Sequence, residues 1–285
     1  MPSPDDTARL IAPPAGLRGA LYAVLVRDTR PLGEGLPPDQ RINRFPALPY
    51  CGITWILHGG ARLESPADHP DTGPLPPVFV SGPQTAPFAS RNDGPIHTFC
   101  LVFHPQAFAA LAGQPATALR DRHRPLARAL PAEWAALDTA VRQASDDEAR
   151  IAAAAAWLLP RWRAARGRLD QRLADLPQVL RGLPVRAVAA WLGFSPRQLE
   201  RRSLQAHGLS PRELRTITRG HDAVLADQAA EPLADAAQQH GYADQPHMTR
   251  EYRRLLGVSP AELRRQLAGD DESWWLYRLR RHGRL

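Results

Sequence analysis

Lysine is absent from this chain of 285 residues, and cysteine occurs only twice. All 36 basic residues are therefore arginines, which we attribute to a GC-rich genome, so a single arginine says little about selection for a guanidinium group. The formal net charge is +7, but the excess of arginine over acidic residues is nearly equal in the two halves of the chain. Bulk charge does not identify a nucleic-acid partner, which must be inferred from local clusters.

The scarcity of cysteine limits the chemistry of the chain. Cys51 and Cys100 lie far apart in the sequence, without a CxxC pair, which excludes a disulfide framework and a cysteine-rich zinc site. Our main interpretation is two buried thiols in a reducing cytoplasm, and a redox-sensing pair is the alternative.

Long apolar runs are also missing. The longest, Ile151 to Leu159, is far shorter than the ~20 residues that a membrane helix needs. Asp5 and Asp6 occupy the region where a signal peptide would be positively charged. We therefore expect a cytoplasmic protein with no membrane partner.

Proline divides the chain, because 21 of its 29 prolines lie at or before Pro131. A segment so rich in proline cannot be mainly helical, since proline lacks the amide donor and clashes with the preceding turn. Short runs rich in Val, Ile, Phe and Thr lie between these prolines and are typical of strands, at 20–26, 52–57, 77–80 and 97–103. They predict a small antiparallel β-barrel or sandwich over residues 1–130.

The composition changes after Pro131, where residues 131–169 are rich in Ala, Arg, Leu and Glu. Apolar residues at helical spacing predict two helices that are interrupted near Ser145, which we expect to cap the second helix. Such a segment packs on the β-rich part, mediates dimerisation, or does both; packing is the interpretation that we favour.

The region after Leu183 contains an internal repeat. Its copies read GFSPRQLERRSLQAHGLSPRELR, from Gly193 to Arg215, and GYADQPHMTREYRRLLGVSPAELR, from Gly241 to Arg264. Both copies place a serine–proline pair where a helix would begin, and a glycine where the preceding helix would end. A short helix precedes each copy, so each unit predicts a helix, a glycine turn and a second helix that could enter a DNA groove.

With its two GxSP closures and the alanine-rich helices VRAVAAWLGF and LADAAQQHGY, the segment Leu183 to Leu267 resembles the DNA-binding domain of the AraC/XylS family of bacterial transcription regulators. The resemblance implies seven helices, with two recognition helices in successive major grooves. A helix from Ser210 to about Gln228 would join the two units and span ~28 Å, close to the ~34 Å between successive grooves. We assign residues 170–270 to this domain.

The helical phase of each recognition helix predicts which side chains contact DNA. In the first helix Leu199 faces the core, and the outward positions match the family's base-contacting residues: Arg197, Glu200 and Arg201. Arginine can bind guanine through two hydrogen bonds, and glutamate can accept one from cytosine. We expect Arg202 to contact phosphate. In the second helix Met248 and Tyr252 face inward. The residues left to contact bases or phosphates are Gln245, Thr249 and Arg250, with His247 as a weaker candidate. Arg253 and Arg254 face the phosphates or solvent.

Two residues depart from the family's pattern. Ser203 stands where the family usually has a large aromatic core residue, and Pro246 lies early in the second recognition helix. We expect these two residues to change the local packing of each unit and to leave the fold unchanged. The tail, residues 271–285, is rich in arginine and aromatic residues, and we expect either a docking helix or a contact with the DNA backbone.

By its position, the segment 1–130 resembles the cupin-like sensor domain common in this family. The resemblance implies a small-molecule effector, RNA polymerase as a partner and a homodimer or monomer that activates transcription. The fold class that we predict is therefore α+β, with a cupin-like β-barrel followed by an all-α domain. Four aromatic residues of the predicted strands face either a ligand or the core: Trp55, Phe79, Phe99 and Phe103.

An enzyme is the alternative, because a cupin barrel can hold a catalytic metal through histidines, and four lie in this region: His58, His69, His97 and His104. The HxH pattern that such a metal site normally uses is absent, as are the GxSxG and HExxH motifs and a glycine-rich phosphate loop. We therefore predict a DNA-binding protein that is not an enzyme and that has no cofactor.

Overall fold

The computed structural model describes residues 7–32, 36–65, 71–226 and 232–281. Within these ranges the strands are β1 (Ala8–Ile11), β2 (Leu21–Asp28), β3 (Ile42–Phe45), β4 (Cys51–His58), β5 (Ala61–Ser65), β6 (Gly73–Pro74), β7 (Val78–Ser81), β8 (Phe88–Asn92), β9 (His97–Phe103) and β10 (His123–Pro125).

The helices in the same ranges are α1 (Pro105–Ala112), α2 (Leu126–Ala129), α3 (Ala135–Gln143), α4 (Asp147–Ala165), α5 (Gln171–Ala174), α6 (Leu176–Gly182), α7 (Val185–Trp191), α8 (Pro196–His207), α9 (Pro211–Ala226), α10 (Leu233–Gln239), α11 (Gln245–Leu256), α12 (Pro260–Ala268) and α13 (Trp275–Arg281). Six helices, α7 to α12, begin between Leu183 and Leu267, and α6 directly precedes them, so the count of seven that the resemblance implies is reached only with α6. None of the helices described is both long and apolar enough to cross a membrane.

The strands form two antiparallel sheets rather than one closed barrel. The larger sheet has the order β1-β2-β9-β4-β7-β10, and the smaller has the order β3-β8-β5-β6. The α+β class is confirmed, and the four apolar runs predicted as strands correspond to β2, β4, β7 and β9. Burial alternates along β9, because side chains on a strand point to opposite faces in turn.

Helices α3 and α4 pack on the larger sheet. Trp134, just before α3, and Leu158 and Trp162 of α4 belong to the same hydrophobic cluster as Trp55 and Phe103 of the sheet. The packing that we favoured for these helices is therefore observed, and dimerisation through them stays a prediction.

The residue that begins α4 is Asp146, and the expected cap at Ser145 is wrong. The Asp146 carboxylate accepts a hydrogen bond from the Ala149 amide at 2.8 Å, while the Ser145 hydroxyl donates to Asp146. Asp146 has the extended backbone that an N-cap adopts, and a carboxylate is favoured at the positive end of a helix.

The β-rich part contributes one residue to the core of the helical part. Ala47, which follows β3, is fully buried in the cluster that contains Leu199, Tyr252 and Leu263. Its amide donates to the Leu255 carbonyl at 2.7 Å, and its carbonyl accepts from the imidazole of His221 at 2.7 Å. The loop after β3 is thus hydrogen-bonded to both α9 and α11, and the two parts share one packed interface.

Gly82 allows a close approach of two backbone segments next to β7. A Cβ atom at Gly82 would overlap the Leu119 carbonyl, and backbone atoms cannot rotate away as a side chain can. We expect Gly82→Ala to lower the free energy of unfolding by ~1–3 kcal/mol, because the two segments must separate. Urea denaturation followed by circular dichroism measures the change.

The matched control is Gly94→Ala, because a Cβ atom there would meet nothing within 4 Å. Its free energy of unfolding should change by no more than about 0.5 kcal/mol. Equal effects of the two substitutions would show that the contact with Leu119 does not restrict the size of the side chain at position 82.

Candidate nucleic-acid interface

Each repeated unit is fixed at both ends of its second helix by backbone geometry. Gly193 and Gly208 flank α8, Gly241 and Gly257 flank α11, and all four have left-handed backbones, with φ between 70° and 80°. A side chain on Cβ disfavours this conformation, which explains why glycine stands at the same places in both copies.

Serine caps reinforce this geometry. At the start of α8 the Ser195 hydroxyl accepts from the Gln198 amide, and the Gln198 side chain accepts from the Ser195 amide. Ser259 and Glu262 make the same reciprocal pair at the start of α12. Each box satisfies two backbone donors that the first turn leaves without partners, so the predicted helix starts are confirmed.

Helix α8 presents to solvent the face that the sequence predicts. Leu199 is fully buried, whereas Arg197, Glu200 and Arg201 are exposed. Among the residues that the structure describes, the guanidinium groups of Arg197 and Arg201 make no hydrogen bond or ion pair. They are therefore available to an external acceptor such as a base edge or a phosphate.

Arg202, for which the sequence predicts a phosphate contact, makes contacts within the protein. Its guanidinium donates to the Asp170 carboxylate at 2.8 Å and lies 4.6 Å from the centre of the Phe194 ring. The sequence did not indicate this ion pair, which joins α8 to the segment before α5. Because its guanidinium already has an internal partner, Arg202 is not part of the DNA interface that we propose.

Helix α11 presents a comparable face. Met248 and Tyr252 are buried, as predicted. The structure exposes Gln245, Arg250, Arg253 and Arg254, and it leaves Thr249 half-buried.

His247 and Pro246 lie in the first turn of α11 and shape its start. The His247 amide donates to the Asp244 carboxylate at 2.6 Å, and its ring Nδ1 accepts from the Ala243 amide at 3.3 Å. This half-buried ring is held by the turn, which agrees with its lower rank as a DNA contact. Pro246 is within the first turn, where its missing amide costs no helical hydrogen bond.

The small residue at position 203 is accommodated by a hydrogen bond. Ser203 is fully buried, and its hydroxyl donates to the Leu209 carbonyl at 2.7 Å. The serine therefore joins α8 to the turn that follows it, and this satisfied polar contact stands where the family's aromatic residue would pack.

Helix α9 is tied to α11 by an ion pair that the sequence pattern does not indicate. The Arg219 guanidinium binds both oxygens of Glu251, at 3.1 and 2.6 Å, and lies 4.5 Å from the centre of the Tyr242 ring. Such a two-point contact has a fixed geometry and sets the second unit relative to the connecting helix.

The β-rich part lies against the turns of both units. Gly208 approaches the Ala116 carbonyl and Pro83, and Gly257 approaches Pro87. The Arg120 guanidinium donates to both oxygens of Glu213 at the start of α9, at 3.1 and 2.5 Å. A groove beside Thr117 is lined by the exposed face of α8, which places the β-rich part next to the proposed DNA-reading surface.

A cavity of about 180 Å³ lies between the two sheets. Its wall is mainly apolar and includes Leu25, Ile56 and Phe79, with hydrogen-bonding groups from Asn43 and Thr54. Of the four aromatic residues considered as ligand contacts, Phe79 lines this cavity, whereas three lie in the core on the other face of the larger sheet: Trp55, Phe99 and Phe103.

The two cysteines also line this cavity, and both are free thiols. The strand register places Cys51 opposite Phe103 and Cys100 opposite Thr54, so the two are not a cross-strand pair. Burial raises the pKa of both thiols, that of Cys100 to about 11, so neither is a ready nucleophile.

The histidines considered for a metal site have other surroundings. His97 is 3.0 Å from the Asp147 carboxylate, the His104 ring packs against Tyr22 and Tyr50, and His58 is exposed. His69 lies outside the described residues. Within the described ranges, no three His, Cys, Asp or Glu side chains are grouped as a metal site would require.

Comparisons with known protein families match two separate segments of the chain. Residues 188–266 match a helix-turn-helix domain family, and residues 11–125 match a domain of unknown function, DUF6597. No curated protein matches the chain significantly.

Similar solved structures include ToxT from Vibrio cholerae. An apo ToxT variant is 12% identical with a TM-score of 0.46, over 85% of this chain and 96% of that chain. ToxT from strain O395 is 13% identical with a TM-score of 0.43, over 80% of this chain and 97% of that chain. ToxT with an unsaturated fatty acid bound is 12% identical with a TM-score of 0.40, over 79% and 93%.

His207, at the end of α8, gives the folded state a measurable pH dependence. Burial lowers its pKa from 6.5 to about 4, although its hydrogen bond to the Leu173 carbonyl opposes this shift. The unfolded chain therefore binds a proton more readily, and the free energy of unfolding should fall as the pH decreases from 6.5 to 4. The contribution of this one group is about 3 kcal/mol.

His207→Gln keeps a donor for the Leu173 carbonyl and removes the titrating group. Between pH 6.5 and 4 its free energy of unfolding should therefore fall by about 3 kcal/mol less than that of the wild type. Urea unfolding at several pH values measures the difference, and His104, whose pKa is also lowered by burial, is common to both proteins. Exposed His58→Gln is the matched control. Parallel pH curves for wild type and His207→Gln would contradict the assignment.

Proposed function

We propose that this chain, which carries an AraC-type helix-turn-helix domain at residues 188–266, is an effector-responsive transcription regulator that binds a specific DNA sequence. The observation that carries the proposal is the pair of capped helices α8 and α11, whose exposed faces both present arginine: Arg197 and Arg201 on the first, and Arg250 and Arg254 on the second. The role is that of a binding protein and not of an enzyme.

The proposed complex places α8 and α11 in successive major grooves on one face of the DNA. The 16 described residues of α9 span ~24 Å at 1.5 Å per residue, and the turn that precedes α9 adds to this separation. Arg197, Arg201 and Arg250 would bind base edges, helped by Glu200, Gln245 and Thr249. Arg254 would bind phosphate, and His247 is a secondary contact.

In this proposal residues 1–130 sense the effector, 131–169 support the sensor or a dimer contact, and 170–270 bind DNA. The cavity between the two sheets is the effector site, because it is lined mainly by apolar side chains and offers a few hydrogen-bonding groups for orientation. Activation of transcription, contact with RNA polymerase and a homodimer stay predictions that rest on the family resemblance.

Selection of bound genomic fragments by the purified full-length protein tests the proposal. Fragments that share one sequence motif would support it, and a repeat of the selection with candidate small molecules would show whether the sensor controls binding. Recovery of fragments without a common motif would contradict sequence-specific recognition.

Arg201→Ala should weaken binding to the selected sequence by ~1–3 kcal/mol and relax the preference at one base pair, because a two-point guanine contact is lost. Titrations with the selected duplex and with its single-base variants measure both effects. Arg128→Ala is the control, because it removes the same charge from an exposed position on α2. Equal losses on the selected and on scrambled DNA would assign Arg201 to phosphate contact only.

A further inference from the structure

The segment after α12 lies between the β-rich part and the helical part, and two sets of its residues pack against different partners. Trp274 and Tyr277 belong to the hydrophobic cluster of the helical part, together with Leu255 and Leu256 of α11. Trp275, Leu276 and Leu279 instead form a cluster with Ala8 of β1. Residues 271–281, which we call the strap, therefore contribute to both cores.

A buried ion pair anchors the strap to the larger sheet. The Glu272 carboxylate accepts from the Arg27 guanidinium of β2 at 2.6 Å and from Arg278 of the strap at 2.7 Å. The side chains of Arg27 and Glu272 are 3% and 1% exposed. Loss of Glu272 would leave the buried Arg27 guanidinium without a counter-charge, so this contact holds the strap in one position.

The strap also forms one wall of the cavity between the two sheets, where Trp275 and Leu276 line the space. The Trp275 indole donates to Asn43 Oδ1 at 2.9 Å, and its ring packs edge-on against Phe45 and beneath the Arg27 guanidinium. A molecule in the cavity would therefore touch a residue that also fixes the strap.

We propose that the strap closes the cavity over a small, uncharged and mainly apolar ligand, and that it transmits the occupancy of the cavity to α11. The inference rests on the proposed function, because it takes this cavity as the effector site. The connection to α11 is short: the Trp274 and Tyr277 rings are 5.2 Å apart, and the Tyr277 hydroxyl donates to the Leu256 carbonyl at the end of α11, at 3.4 Å.

The charges around the cavity argue for an uncharged ligand. Among the described residues, Arg27 provides the one permanently charged side chain of the wall, and its guanidinium is already ion-paired with Glu272. A charged ligand would add a buried charge without a partner, which is costly. The volume of about 180 Å³ suits a molecule with one aromatic ring, since a cavity of about 150 Å³ is known to hold benzene.

Benzyl alcohol and benzoate are matched probes, because they are similar in size and differ in charge. Calorimetric titration of the full-length protein should show benzyl alcohol bound at least tenfold more tightly than benzoate. Glu272→Gln frees the Arg27 guanidinium and should reverse this preference. Absence of benzyl alcohol binding, equal binding of the two probes to wild type, or an unchanged preference in Glu272→Gln would overturn the ligand assignment.

Hydrogen exchange measured by mass spectrometry tests the transmission. With benzyl alcohol at ten times its dissociation constant, exchange should slow by about tenfold in the strands of the cavity, in 271–281 and in 252–256, if opening requires release of the probe. Trp275→Ala and Trp275→Phe should reduce the effect at 252–256, the first more than the second. Trp191→Ala, which changes a 66% exposed tryptophan of α7, should leave it unchanged.

Protection limited to the strands, or equal protection of 252–256 in wild type and Trp275→Ala, would overturn the proposed transmission. These measurements require no DNA. Failure to select a DNA motif would therefore contradict the proposed function without affecting the exchange result, and the two failures are distinguishable.

Discussion

The left-handed backbone at four glycines is the constraint on which the helical part depends. Gly193, Gly208, Gly241 and Gly257 turn the chain abruptly at both ends of the two exposed helices. With the turn geometry fixed, the phase of each helix is fixed as well, so Leu199 or Met248 faces the core and the arginines face outward. The interface that we propose for DNA thus follows from backbone conformation, and the side chains only supply its chemistry.

Much of the helical part could be predicted because its signals are local. Serine, proline and glycine mark helix ends within a few residues, and the helical period then separates buried from exposed positions. The strands of the β-rich part were found for the same reason, from short apolar runs between prolines. The sequence left a barrel and a sandwich as alternatives and did not predict the strand order, because pairing between strands depends on contacts distant in the sequence.

The contacts that sequence reasoning missed join residues far apart in the chain. Arg202 has the same helical neighbourhood as Arg201, yet its partner Asp170 lies 32 positions away and before α5. The Arg27–Glu272 pair spans 245 positions. The arginine pattern alone cannot distinguish such a structural guanidinium from one that is free to bind DNA, particularly in a chain where arginine is the only basic residue besides histidine.

The burial of Ala47 among helices α9 and α11 has a consequence for how the protein can be divided. A fragment that began after the β-rich part would lack the methyl group and the two backbone hydrogen bonds that this residue contributes. The exposed Leu255 carbonyl and His221 ring would then have to be hydrated inside an apolar pocket. The β-rich part and the helical part are consequently coupled at this contact, and a fragment of the helical part would keep its packing only together with the loop that carries Ala47.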